Sequence, residues 1–127
     1  MIMAVDHVAI MCKDLERSVE YYTQTLGFSI MYRTETPSLN IAFLEKGEAK
    51  LELMGVKEGV ATVPSPLKET DIGVKHIAFL VDDVDEAYEE LKKRGVDFTS
   101  EPIATRGTHK IVFFNDPDGN VLQLTQW

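Results

Sequence analysis

Four residues stand out as able to do chemistry together: His7, Glu52, His76 and Gln123. Imidazole and carboxylate are ordinary ligands for a divalent metal, and an amide oxygen can complete the set. Two neutral histidines, one carboxylate and one amide leave a bound dication with a net positive charge and with coordination positions open to water or substrate oxygens. Lewis-acid chemistry requires such a site. Their spacing ties the four together. Glu52 follows His7 by 45 positions, and Gln123 follows His76 by 47. Each histidine is the second residue of an apolar run, Asp6-His7-Val8-Ala9-Ile10-Met11-Cys12 and Lys75-His76-Ile77-Ala78-Phe79-Leu80-Val81. Each acidic or amide residue sits in a closing run, Leu51-Glu52-Leu53-Met54-Gly55 and Leu122-Gln123-Leu124-Thr125-Gln126.

The elements that must position these residues read as one unit written twice. Residues 3–12 form a strand with His7, Ala9 and Met11 on one face and the apolar Val8, Ile10 and Cys12 on the other. Asp14 can cap a helix running to Leu26, whose stripe is Leu15, Val19, Tyr22 and Leu26, with Gly27 as its left-handed stop. Strands follow over 28–34, 40–44 and 50–54, separated by turns at 35–38 and 45–48. The second unit repeats this order. A strand over 74–81 leads to a helix that starts at Asp83, with Glu86 three residues on, shows the stripe Val84, Tyr88 and Leu91, and ends at Gly95. Strands at 96–99, 110–114 and 121–127 follow, with a loop at 100–108 and a turn at Asn115–Asn120. His7/His76, Ala9/Ala78, Asp14/Asp83 and Glu20/Glu89 are identical pairs at an offset of 69. The fold class expected is α+β: two tandem βαβββ modules, about 1–56 and 74–127, related by a pseudo-two-fold within a single domain. The linker, about 57–73, carries Pro64 and Pro66 and a short helical turn near Pro66–Glu69. Such a duplication would bring His7 and His76 together, with Glu52 and Gln123 joining from the last strands.

Composition bounds the partners. The 127 residues carry a net charge of −8, which argues against nucleic acid or anionic membranes, since both are approached with basic patches. No apolar run approaches the ~20 residues that span a bilayer, and no signal peptide is evident. The single cysteine, Cys12, excludes an internal disulfide framework and suits a reducing cytoplasm. A small-molecule ligand is the expected partner.

With these residues in view, the chain resembles the vicinal oxygen chelate superfamily, which includes glyoxalase I, methylmalonyl-CoA epimerase, extradiol dioxygenases, and fosfomycin and bleomycin resistance proteins. The runs around His7, Glu52 and His76 carry the likeness, together with Asn115-Asp116-Pro117-Asp118-Gly119-Asn120-Val121-Leu122-Gln123-Leu124. It extends over essentially the whole chain. The resemblance implies modules forming a half-barrel sheet around a divalent metal (Ni, Zn, Co, Mn or Fe) held by His7, Glu52, His76 and Gln123. It also implies a homodimer, and a substrate bound through two neighbouring oxygens.

Two departures shape the functional expectation. Glyoxalase I usually ends its ligand set with Glu, where this chain has Gln123. Bacterial glyoxalase I also tends to carry Arg four residues after the first His to hold the glutathione carboxylate, where this chain has Met11. Arg106, His109 and Lys110 form a local basic cluster that can grip an anionic group, so with Met11 they are the candidate substrate-binding residues. The leading expectation is a metal-dependent lyase or isomerase of the glyoxalase I type, with Glu52 as the catalytic proton shuttle. Alternatives are an extradiol-type Fe(II) dioxygenase, because two His and one carboxylate are also the non-haem iron set, and a non-catalytic drug-binding resistance protein. Proteins of the last kind usually lack the metal ligands, and this chain keeps a full set.

Overall fold

Alternating apolar and polar residues build two four-stranded sheets, one in each half of the chain. The computed structural model describes residues 1–60 and 70–127. The chain divides into two compact units, Met1–Pro64 and Ser65–Trp127, and the division falls within the stretch read as the linker. The helical turn expected near Pro66–Glu69 lies outside the described residues.

In the first unit β1 (Val8–Cys12), β2 (Ser29–Glu35), β3 (Leu39–Lys46) and β4 (Ala49–Val56) pair in the order β1-β4-β3-β2. β1 runs parallel to β4, and the remaining pairs are antiparallel. Between β1 and β2 lies α1 (Leu15–Glu20), which continues as a π-helical stretch, Tyr21–Thr25. The second unit contains β5 (Ile77–Leu80), α2 (Val84–Lys93), β6 (Ile103–Ala104), β7 (Lys110–Asn115) and β8 (Val121–Gln126). Its order is β5-β8-β7-β6, again with the first and last strands parallel. The fold is therefore α+β, two tandem βαβββ modules, as the repeat predicts.

One face of each sheet is apolar and buried. In the first unit Ile10, Cys12, Ala42, Leu44, Leu51 and Leu53 form it, and Val19 and Tyr22 of the helix are buried with them. Val112, Phe114, Leu122 and Leu124 are the counterparts in the second unit, with Val84 of α2. Each such aliphatic side chain contributes about 1.5–3 kcal/mol by leaving water. Gly55 shows how closely helix and sheet approach: a Cβ there would lie 2.8 Å from Cβ of Leu15. This residue lies inside β4. Asp14 caps α1 by accepting from the Arg17 amide at 3.2 Å, and Asp83 caps α2 by accepting from the Glu86 amide at 3.0 Å.

Several expected boundaries change. Residues 3–7 and 74–76 lie outside β1 and β5, and residues 96–99 contribute only a Phe98–Phe114 bridge. The loop at 100–108 contains the two-residue β6. The helix expected through Leu26 loses α geometry after Glu20. There the Thr23 hydroxyl donates to the Val19 carbonyl at 2.7 Å, and Leu26 N–H reaches back five residues to Tyr21 at 3.2 Å. This extra residue per turn still leaves Tyr22 fully buried, with its ring edge-on to Phe28.

Candidate functional site

The face of each sheet away from the buried one carries the candidate ligands. In the first unit Glu52 on β4 is in register with Ala9 of β1 on one side and Phe43 of β3 on the other. His7, just before β1, sets its ring edge-on to Phe43, with centroids 5.5 Å apart. Phe43 in turn stacks on Tyr32 of β2 at 4.9 Å. His7 and Glu52 thus converge on one phenyl ring. The second unit repeats the arrangement: Gln123 on β8 is in register with Ala78 and Phe113, and His76 stands edge-on to Phe113 at 5.6 Å. Phe43 and Phe113 escape the sequence reading because single aromatics in apolar strands carry no periodic signal. Their offset of 70, beside 69 for the histidines, is the signal that points to them.

The polar atoms of these residues are disposed for a ligand. Nδ1 of His7 lies 2.9 Å from the Asp6 carboxylate, which orients the imidazole; in the neutral ring that donates Nδ1–H to Asp6, Nε2 keeps its lone pair. That hydrogen bond, reinforced by the nearby Lys50 ammonium, holds the Asp6 carboxyl below the usual carboxylate range. Gln123 is 9% exposed, yet among the described residues none hydrogen-bonds its amide. Glu52, half-buried, and His76, exposed, likewise have no hydrogen-bonding or ionic partner among the described residues. Among the described residues no group of three or more His, Cys, Asp or Glu lies close enough to hold a metal.

A family model described as Glyoxalase/Bleomycin resistance protein/Dioxygenase superfamily matches residues 4–124. The chain belongs to this superfamily. Its relatives include the uncharacterized protein YwkD of Bacillus subtilis (strain 168), 31% identical over 98% of this chain and 97% of that protein. A probable lactoylglutathione lyase of Vibrio cholerae is 34% identical over 94% of this chain and 88% of its own length. The solved structure of a glyoxalase family protein from Enterococcus faecalis aligns with a TM-score of 0.78 at 26% identity, covering 96% of each chain.

The remaining candidates of this glyoxalase-superfamily chain are more dispersed. Met11 is exposed on the same face of β1 as Ala9. His109 and Lys110 point to opposite sides, as adjacent residues of an extended strand do. Lys110 pairs with Asp85 of α2, which raises its ammonium above the ordinary lysine range. His109 is engaged through both ring nitrogens, Nε2 with Thr125 Oγ1 at 3.0 Å and Nδ1 with Thr105 Oγ1. Its ring stacks on Trp127 with centroids 4.0 Å apart. Arg106 lies in the exposed β6–β7 loop. Of the described helices, none is long and apolar enough to cross a membrane.

Proposed function

We propose that the protein is a metal-dependent lyase or isomerase of the glyoxalase I type, acting on a small molecule as a homodimer. His7, Glu52, His76 and Gln123 would hold the divalent ion. The observation that carries this reading is Gln123, a largely buried residue whose amide has no hydrogen-bond partner among the described residues and stays accessible to a ligand. The donor set of two imidazoles, a carboxylate and an amide oxygen suits a first-row divalent ion. When bound, the ion supplies Lewis-acid polarisation of two neighbouring substrate oxygens.

The protein's own residues account for the rest. Asp6 keeps the His7 ring in the tautomer that presents Nε2. Phe43 and Phe113 stand in register beside Glu52 and Gln123 and present apolar ring surface next to them. The carboxylate of Glu52 takes the proton from the hydroxyl-bearing carbon next to the substrate carbonyl and returns it to the former carbonyl carbon, while the hydroxyl proton passes to the former carbonyl oxygen, a net isomerisation. The Gln123 amide cannot accept that proton near neutral pH. The named activity of the Vibrio cholerae relative supports the reaction class. Exposed apolar side chains, Met1, Ile2, Met3 and Val5 in the first unit and Leu80 in the second, support pairing of two copies.

Metal content of protein purified without chelator tests the reading. About one ion per chain is expected in the parent and in His109→Ala, with loss in His7→Ala and in His76→Ala. Retention in both, or equal loss in all three variants, overturns the ligand assignment.

A further inference from the structure

The second unit carries a built feature that the reading above leaves unused. Thr105, Arg106, Thr108, His109 and Trp127 line an open basin of about 510 Å³. One wall is rigid. The His109 imidazole is bonded by the Thr125 and Thr105 hydroxyls through its two nitrogens, so it cannot turn. It lies 16° from parallel to the indole of Trp127, which it backs on one face. Trp127 is nonetheless 76% exposed, so its large apolar surface is left to water. A fixed ring with a free face is a ready platform for another planar group.

Arg106 supplies the second half. Arg33, Lys57, Arg94 and Lys110 each have a carboxylate within 4.0 Å. Among the described residues Arg106 has none, in a chain of net charge −8. A guanidinium presents a planar fork matched to a carboxylate. Thr108 and Thr105 border it with hydroxyl-bearing side chains.

We infer that this basin binds a planar carboxylate, its flat part stacked on Trp127 and its carboxylate held by Arg106. Thr125, which fixes His109, is two residues from Gln123 on the same face of β8. The planar acid is therefore one end of the substrate. Only that last step rests on the proposed function, because binding in the basin needs no metal.

Trp127 is the single tryptophan, so its fluorescence reports on the basin directly. The metal-free full chain is titrated with benzoate, with cyclohexanecarboxylate (same charge, not planar) and with benzamide (planar, neutral). Saturable change with benzoate is expected, and each of the other two should bind about tenfold more weakly. Arg106→Gln should weaken benzoate about tenfold, the scale of one charge-assisted hydrogen bond, and leave benzamide unchanged. A linear, unsaturating response to benzoate, equal binding of cyclohexanecarboxylate, or parental benzoate affinity in Arg106→Gln overturns the inference. Loss of metal binding in the histidine variants bears on the ligand assignment and moves none of these readouts.

Discussion

His7 meets Phe43 edge-to-face at 5.5 Å, and the same contact recurs between His76 and Phe113 at 5.6 Å, each phenyl lying in register beside a candidate ligand, Glu52 or Gln123. Edge-to-face aromatic pairs contribute about 0.5–1.5 kcal/mol beyond area burial. The phenyl rings thereby restrict how the imidazoles turn. Phe43→Leu and Phe113→Leu should each weaken metal affinity by up to about tenfold. A competitive chelator titration measures this, with the visible spectrum of the cobalt-loaded protein reporting changed geometry. Parental affinity and spectrum in both variants would show that the rings merely fill space.

Glu52 and Gln123 hold matching positions but differ in what they can do with a proton. Glu52→Gln should retain much of the metal and lose roughly 10²-fold or more in turnover, the usual scale for losing a general base. Gln123→Glu should keep activity or alter its stereochemical course, since it adds a second base. The comparison is kcat at matched metal occupancy. Normal turnover by metal-loaded Glu52→Gln would place proton abstraction elsewhere.

Met11 is exposed on the face that carries Ala9. A thioether cannot form the charge-assisted fork that an arginine gives a carboxylate. The hemithioacetal of glutathione and methylglyoxal should accordingly be a poor substrate, with kcat/KM below ~10⁴ M⁻¹s⁻¹. Lactoylglutathione formation is the assay, and efficiency above that value would contradict the expectation.

Gly55→Ala should destabilise the first unit. Ordinarily alanine improves on glycine within a strand by roughly 0.5–1 kcal/mol. Here the added methyl would sit 2.8 Å from Cβ of Leu15, and relief requires α1 to move. Overpacking of this kind costs about 1–3 kcal/mol. Chemical denaturation should show a lower midpoint; a midpoint at or above that of the parent would mean that the helix yields freely.

Much of this molecule is legible in its sequence because the repeat supplies two readings of each element. The Asp-Pro-Asp-Gly turn is an example: Asp116 accepts from the Asp118 and Asn120 amides at 2.9 Å, a local pattern its residue types announce. The helix caps at Asp14 and Asp83 are equally local. Features that depend on distant partners were hidden. His109 suggests an anion grip until Thr125, sixteen residues on, is seen to occupy one nitrogen. Lys110 suggests the same until strand alternation sends it to Asp85. The π-helical stretch arises where the Thr23 hydroxyl competes for a backbone carbonyl, and apolar periodicity does not register that choice.

The parallel pairing of the first and last strands also sets an order of assembly. Adjacent strands β2, β3 and β4 meet through short turns, so they can form early. β1 joins β4 only by closing a span of 43 positions at Val8 and Leu51, and β5 joins β8 across 45 at Ile77 and Leu122. Such distant closures are entropically expensive and come late in folding. Each histidine rides at the entrance to one of these late strands. The imidazoles therefore reach their places after the Glu52 and Gln123 hairpins exist, and amide exchange at β1 and β5 should be the first to betray an opening of the sheets.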